Sequence, residues 1–277
     1  MAEITAALVR ELREETGLPM MDCKQALTET GGDKEAAKTK LREKGLKIQE
    51  GRGGRETSFG RFGIYSGVAN KAGAIVELKC ESAPVAGSAE FIQLANDLAK
   101  QLATGPGAKT AEELLSQPSP SKPGMTLGQI KDDMFNRIRE VFNVGRLARL
   151  EGPTGGYSHN AGTVSGVLVQ VEGGTDEAAK DVSMHIAAMR PLAVSKEEVD
   201  PAVVAKEREI LRAAALNEGK PANIVDKMVE GRLKNFYADR VLLEQAYVKE
   251  NSMSVGKYAE SKGMKVKKFV HWELGKS

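Results

Sequence analysis

The side chains best suited to chemistry are few in this sequence and lie far apart. Its three histidines, His159, His185 and His271, fall in different stretches of the chain, without the short spacing of a metal-binding motif. His185 is expected to be a packed or partly exposed structural histidine rather than a ligand. The two cysteines, Cys23 and Cys80, match no zinc pattern and are expected to be small buried hydrophobic residues. The sequence therefore predicts neither a metal centre nor an activated nucleophile.

The glycine-rich segments do not match nucleotide-binding loops. Residues 105–110 have an alanine before the lysine of a phosphate-binding loop, and no strand-like segment precedes them. Residues 51–54 lack the glycine spacing of a dinucleotide loop and lie in a polar stretch. Both segments are typical of linkers. The chain is therefore predicted not to be an enzyme and to need no cofactor.

The charge balance argues against binding to nucleic acid. The 277 residues include 40 Lys plus Arg and 38 Asp plus Glu, for a formal net charge of +2. Proteins that bind DNA or RNA usually show a basic excess or a basic stripe, because each neutralised phosphate needs a cation. The lysines between 262 and 268 have no interleaved aromatic residues and are interpreted as a solvated strand face. No direct contact with nucleic acid is expected.

Three features indicate the compartment. No segment approaches the roughly 18 consecutive apolar residues of a membrane span. The first residues lack a basic patch followed by an apolar stretch, so no secretion signal is predicted. Two cysteines are too few for a disulfide framework. The expectation is a protein without membrane contact that works in the cytoplasm.

The first 49 residues predict three short helices. Gly17 is a natural end for the first helix, and Pro19 fits the first turn of the second. Asp33 is a good N-cap for the third helix, which Gly45 is expected to end. Helices of this size bury only a small core. Residues 1–49 are therefore predicted to form a compact three-helix module that docks on a partner.

The rest of the chain predicts an α+β fold. Residues 50–60 are glycine-rich and charged, as in a flexible linker. Strand-like runs at 74–78 and 167–171 each follow a turn and precede an amphipathic helix. This weak internal repeat predicts two core subdomains, residues 61–141 and 142–277, each with an antiparallel sheet backed by helices.

An antiparallel helical hairpin is predicted at about residues 200–236, inserted in the second subdomain. Asp200 and Pro201 begin a helix that continues to about Asn217, and residues 219–221 form the turn. The second helix carries an apolar stripe of Ile224, Val225, Met228, Leu233 and Phe236. This stripe could close on the hairpin itself, on the core, or on a second copy of the chain.

Two adjacent methionines stand out in the predicted module. Met20 and Met21 lie at the junction of the first two helices, where both cannot face a very small core. At least one is expected to be exposed, and its soft, unbranched side chain suits the surface of a partner helix. The alternative is that both fill gaps in the core.

Motifs along nearly the whole chain resemble one family, the bacterial translation elongation factors Ts. The strongest matches are EITAALVRELR at 3–13 and TGLPMMDCKQAL at 16–27. Further matches are LREKG at 41–45, HIAA at 185–188, GKP at 219–221 and KMVEGR at 227–232. The resemblance implies a ubiquitin-associated-like N-terminal module, a core of two subdomains, and a coiled-coil hairpin that some members use for dimerisation.

The resemblance also implies a function. Members of this family bind the GDP complex of elongation factor Tu, displace its magnesium ion and speed GDP release. Bound magnesium neutralises phosphate charge, so its removal weakens nucleotide binding. Binding of the factor and of GDP must then oppose each other, because they share one coupling free energy. The nucleotide loop that this chain lacks would belong to its partner.

The same resemblance implies a set of partner-binding residues. In the N-terminal module these are Leu12, Arg13, Met20, Met21 and Lys24. His159 matches a family contact at the tip of the second core hairpin, the alternative being an exposed loop residue without a role. Val248 and Lys249 align with another contact region, where the family often has Val-Met.

The family's magnesium-displacing string, Thr-Asp-Phe-Val, is altered in this chain. The aligned residues are Ser82, Ala83, Pro84 and Val85, so both the carboxylate and the aromatic wedge are missing. Exchange is still expected, with more of the effect carried by the remaining interface. The alteration leaves one alternative open, an adaptor that binds its partner through the N-terminal module without changing the nucleotide state.

Overall fold

The computed structural model describes residues 4–219 and 221–276. The helices, in chain order, are α1 (Ala6–Thr16), α2 (Met20–Glu29), α3 (Lys34–Arg52), α4 (Ala83–Ala86), α5 (Ala89–Thr104), α6 (Ala111–Leu115), α7 (Leu127–Ile138), α8 (Asp176–Met189), α9 (Pro201–Asn217), α10 (Ala222–Arg240) and α11 (Val255–Ser261). The strands are β1 (Phe59–Tyr65), β2 (Ala72–Cys80), β3 (Asn143–Glu151), β4 (Thr154–His159), β5 (Ser165–Gly173), β6 (Ala246–Tyr247), β7 (Glu250–Ser254) and β8 (Met264–Glu273). They form sheets of order β1-β2-β3, β4-β5-β8 and β6-β7, which confirms the predicted α+β class.

Helices α1, α2 and α3 share a small apolar core. The Thr5 hydroxyl accepts a hydrogen bond from Leu8 N at 3.2 Å and caps α1. Gly17 ends α1 as predicted, in the left-handed conformation with φ 68°. The buried core residues are Val9, Leu12, Leu18, Cys23, Ala26, Leu27, Ala37 and Leu41. A core of only eight side chains leaves this module dependent on further contacts.

The third helix does not end at Gly45, so that prediction is wrong. α3 continues to Arg52, and the linker predicted for residues 50–60 therefore starts inside α3 and ends inside β1. Gly45 lies where α3 packs against α7. A Cβ atom added to Gly45 would lie 1.6 Å from Oδ1 of Asn136. The glycine thus permits close helix packing rather than helix termination.

This contact predicts a loss of stability on adding one methyl group. Gly45→Ala is expected to lower the free energy of unfolding by about 1–3 kcal/mol, because Asn136 and α7 must move away. Gly51 in the same helix has no atom within 4 Å of its added Cβ. Gly51→Ala is therefore the control, expected to be neutral or to stabilise by up to about 1 kcal/mol. Urea unfolding measures both, and equal midpoints would contradict tight packing of α3 on α7.

The first sheet contains one strand that the sequence pattern did not predict. β3 is half-buried along most of its length, so it shows neither clean alternation nor a continuous apolar run. It is held to β2 by an ion pair between Arg146 Nη2 and the buried Glu77 Oε1, 2.8 Å apart. β3 lies within the predicted second subdomain, residues 142–277, but its sheet partner β2 lies within the predicted first subdomain.

The second sheet has its buried strand in the middle. β5 pairs antiparallel with β4 and with β8, so that Tyr157 lies opposite Val167 and Val169 lies opposite Phe269. Alternate β5 residues and the inner face of α8 form a common apolar core. β8 is an edge strand, and Lys265, Lys267 and Lys268 on it are exposed, as the solvated-face interpretation predicted.

The helical hairpin is present near its predicted position. α9 begins and ends at the predicted residues, and Asp200 caps it through a bond from Ala202 N at 2.8 Å. α10 continues past residue 236 to Arg240. Lys220, in the predicted turn at 219–221, lies outside the described residues.

The hairpin buries part of its apolar stripe on itself. Val225 and Val229 of α10 are buried against Ala215 and Leu211 of α9. At the base, Phe236 packs against the cluster of Ala193, Val199 and Val241. Other large apolar side chains stay exposed, namely Val203, Ile210, Leu216 and Ile224.

The chain divides into two compact units. The first comprises Met1–Gly63 and Val76–Leu147, and the second comprises Ile64–Ile75 and Ala148–Ser277. These limits differ from the predicted ones at 61–141 and 142–277, because β2 and β3 each have residues in both units. The limits of the two units fall inside these strands, and no pattern in the sequence marks them.

Candidate partner-binding surface

The start of α2 carries an exposed apolar pair. Met20 and Met21 are 46% and 72% exposed, so the alternative that both fill gaps in the core is wrong. Pro19 precedes them as the N-cap residue of α2, which fixes the chain direction at this corner. Arg13 and Lys24 are also exposed. Met20 and Met21 give the module an exposed apolar patch, with Lys24 about one turn further along α2 and Arg13 exposed on α1.

Leu12 differs from the other predicted contacts of the module. It is fully buried, because Val9 and Leu12 lie on one face of α1, three positions apart, and that face forms the core. A direct contact between Leu12 and a partner is therefore excluded in this conformation. Leu12 instead stabilises the packing of α1 in the core of the module.

Residues 82–85 form the start of a short helix directly after β2. Ser82 is the N-cap residue of α4, and proline occupies its first turn. Ala83 and Pro84 are exposed, whereas Val85 is half-buried. The segment presents a small apolar surface without a carboxylate.

The base of this segment is fixed by hydrogen bonds on both sides. The Ser82 hydroxyl donates to Oε1 of Glu140 at 2.6 Å, and the Cys80 thiol donates to the Ser82 carbonyl at 3.2 Å. Burial raises the pKa of the Cys80 thiol to about 11, so it stays protonated as a donor. Val141 N donates to Oε1 of Glu81 at 2.8 Å. Both cysteines are buried, as predicted.

Sequence reasoning missed the residues that connect α2 with this segment. Arg139 Nη2 lies 3.0 Å from Oδ2 of Asp22, the residue after Met21, and the adjacent Glu140 binds Ser82. Consecutive residues at the end of α7 therefore contact both elements. More than a hundred positions separate Arg139 from Asp22, and no local pattern marks such a pairing.

His159 lies at the end of β4, as its predicted place at a hairpin tip requires. It is half-buried, and its Nδ1 lies 2.9 Å from the hydroxyl of Tyr157. The two rings tilt against each other with centroids 6.0 Å apart. This arrangement orients the imidazole while leaving part of it accessible.

Val248 and Lys249 connect β6 with β7. Val248 is 44% exposed, and its backbone N–H donates to Nδ1 of His185 at 3.2 Å. Nε2 of His185 therefore carries the proton and donates to Oε1 of Gln245 at 2.9 Å. Burial lowers the pKa of His185, so the ring is neutral at physiological pH. His185 is a packed structural histidine, as predicted, and it supports the backbone at Val248.

Lys249 is tied to the same helix by an ion pair. Its Nζ lies 2.6 Å from Oδ1 of Asp181. Burial would raise the pKa of Asp181, but hydrogen bonds from Lys249, Tyr258 and Tyr247 hold it below its usual value. The ion pair therefore holds the end of the Lys249 side chain at α8, and about half of that side chain is exposed.

The described part of the chain contains neither a metal-binding cluster nor a membrane-spanning helix. Within residues 4–219 and 221–276, no group of three or more His, Cys, Asp or Glu side chains is arranged to hold a metal ion. Among the helices of these residues, none combines the length and apolar character that crossing a membrane requires.

Comparison with known proteins identifies the family. The family model described as Elongation factor TS matches residues 81–276. Elongation factor Ts of Methylococcus capsulatus is 45% identical over 275 residues, covering 98% of this chain and 92% of that protein. The Clostridium botulinum and Thioalkalivibrio sulfidiphilus proteins of the same name are 42% and 39% identical, each over 98% of this chain and 93% and 92% of their own length. The chain therefore belongs to the elongation factor Ts family, whose members exchange the guanine nucleotide of elongation factor Tu during translation elongation.

Proposed function

We propose that this chain binds the GDP complex of elongation factor Tu through its N-terminal module and displaces magnesium to release GDP. The observation that carries the proposal is the exposed pair Met20 and Met21 at the start of α2, in a chain that aligns with its relatives over 98% of its length. Thioethers adapt to the irregular surface of a partner helix, and the flanking cations Arg13 and Lys24 suit an acidic rim.

Exchange of this kind needs no covalent step. Magnesium neutralises charge on the bound nucleotide, so shifting it weakens GDP binding. In this chain, Ala83 and Pro84 supply shape but no charge at the altered segment. The remaining interface must therefore carry more of the differential binding that favours the nucleotide-free partner over the GDP-bound partner.

We propose that residues of the second unit also contact the partner. His159 presents part of an oriented ring, and Val248 is exposed on a backbone supported by His185. Lys249 contributes the methylene groups of its side chain and its positive charge to the proposed contact with the partner. We assign these three residues to partner binding because each is accessible and aligns with a family contact position, although the family often has methionine at position 249.

The deciding experiment measures GDP release directly. Elongation factor Tu is loaded with fluorescent GDP and mixed with excess unlabelled nucleotide, with and without this protein. The expected result is faster release that saturates with protein concentration. Binding of the protein to the GDP complex without faster release would instead identify an adaptor.

The same proposal places the protein in the cytoplasm, where translation elongation takes place. It includes no direct contact with nucleic acid. The net charge of +2 favours protein surfaces over phosphate backbones as partners.

We also propose that the hairpin pairs with a second copy of the chain. Ile210 and Leu216 on α9 are 53% and 51% exposed, and burying them against a like surface would stabilise a dimer. Light scattering should show a concentration-dependent rise from the monomer mass of 29.8 kDa. Ile210→Glu is expected to abolish that rise. Lys206→Gln, which changes the charge of the same helix equally, should leave it intact, and a monomer at all concentrations would refute the dimer.

A further inference from the structure

One residue between the module and the altered segment has an unusual backbone. Arg139 follows α7 with φ 65° and ψ 24°, in the left-handed region where a Cβ atom is crowded. Glycine would adopt this conformation freely. An arginine held there indicates that its side chain makes contacts that outweigh the strain.

Those contacts reach two helices of the N-terminal module. Arg139 Nη2 lies 3.0 Å from Oδ2 of Asp22, and both side chains are about three-quarters buried. Oδ1 of Asp22 also accepts from Lys44 Nζ at 2.9 Å. The Arg139 carbonyl in turn accepts a hydrogen bond from the guanidinium of Arg52. Arg139 thereby connects the end of α7 with α2 and α3.

The residues before Arg139 extend the same contact. Asn136 packs over Gly45 of α3, as described above. A Cβ atom added at Gly17, the end of α1, would lie 2.8 Å from Cδ of Arg137. The last turn of α7 therefore touches the module at α1, α2 and α3. The next residue, Glu140, holds Ser82 at the base of the 82–85 segment.

We propose that Arg139 is a positioning residue that holds the N-terminal module against the end of α7. The exposed methionines of α2 and the 82–85 segment would then meet elongation factor Tu in a fixed relation. This inference rests on the proposed function. Once the module has bound the partner, a segment held in the correct relation to it engages in a larger share of the complexes, because that second contact forms at a higher effective concentration.

The proposal predicts a particular kinetic pattern. The module's own surface is unchanged in Arg139→Gly, so the half-saturating protein concentration should change less than twofold. Engagement of the 82–85 segment becomes less favourable, so the GDP release rate at saturating protein should fall about fivefold. Glycine accepts φ 65° without strain, and this relief offsets part of the lost ion pair, so the unfolding midpoint should change little.

A second variant breaks the same contact from the other side. Asp22→Asn leaves the backbone at Arg139 untouched and is expected to lower the saturating rate by a similar factor. The double variant should lose no more than Asp22→Asn alone, which also removes the contact with Lys44, because Arg139 acts through Asp22. Lys40→Gln is the matched control. It removes an exposed ion pair with Glu29 inside the module and should leave the saturating rate unchanged.

Hydrogen exchange provides a readout without the partner. Amides near Arg52, whose guanidinium donates to the Arg139 carbonyl, should exchange faster in both single variants than in the parent and the control. Saturating rates within twofold of the parent, or losses that multiply in the double variant, would overturn the proposal. If the parent itself fails to accelerate GDP release, the proposed function fails instead, so the two results are distinguishable.

Discussion

Replacing both exposed methionines with aspartate, Met20→Asp with Met21→Asp, is expected to raise the half-saturating concentration for GDP release about 100-fold. Burying a methionine side chain contributes about 1.5–3 kcal/mol, and a loss of about 2.8 kcal/mol corresponds to 100-fold in affinity. The introduced carboxylates add a desolvation penalty in an apolar interface. Because Met20 and Met21 are largely exposed, the substitutions should leave the fold of the module intact.

The measurement is a titration of each variant against elongation factor Tu loaded with fluorescent GDP. Leu46→Asp is the matched control, since Leu46 is an exposed apolar residue of the same module, 41% exposed, outside the predicted contacts. Its half-saturating concentration should stay within about threefold of the parent, a free-energy change below ~0.7 kcal/mol. An equal rise of the half-saturating concentration in both variants would show that negative charge anywhere on the module weakens binding. Contact at the start of α2 would then not be the cause.

Restoring the missing groups, Ala83→Asp with Pro84→Phe, is expected to raise the saturating GDP release rate about tenfold. That change corresponds to about 1.4 kcal/mol in the barrier. The carboxylate would compete for the magnesium ion of the partner, and the ring would add an apolar wedge. Both positions are exposed, and aspartate is favourable in the first turn of a helix, so the fold should tolerate the pair.

Chelation of magnesium separates this effect from a general gain in binding. With the metal removed by excess EDTA, the parent and the restored variant should release GDP at similar rates, because the step that the variant assists has already occurred. Ala83→Ser with Pro84→Ala serves as the control and should behave as the parent. An unchanged rate in the restored variant with magnesium present would show that residues 82–85 do not drive exchange in this chain.

Local pattern predicted many element boundaries correctly. Gly17 ends α1 because a glycine adopts the left-handed conformation without strain. The pair Asp200 and Pro201 begins α9 because an N-cap acceptor followed by proline suits the first turn. That at least one of Met20 and Met21 is exposed also followed from local reasoning, since a small core has no room for both.

The same local rules failed where a distant contact decided the outcome. Gly45 satisfies the rule for a helix end, yet α3 continues because the missing Cβ makes room for Asn136 of α7. Leu12 matched a family contact position, but helical periodicity directs it into the core with Val9. β3 went unrecognised because its polar residues, Arg146 among them, find partners on another strand.

The amino-acid sequence by itself determined which family this chain belongs to, its α+β class, and the exposed methionine pair. Those features depend on residue identity and on spacings of a few positions, over which backbone geometry is regular. Tertiary structure alone decided how Arg139 and Glu140 connect α2 with residues 82–85. Ion pairs and close glycine contacts between distant positions depend on how the chain folds back on itself, and a linear order of residues does not encode those distances in any local pattern.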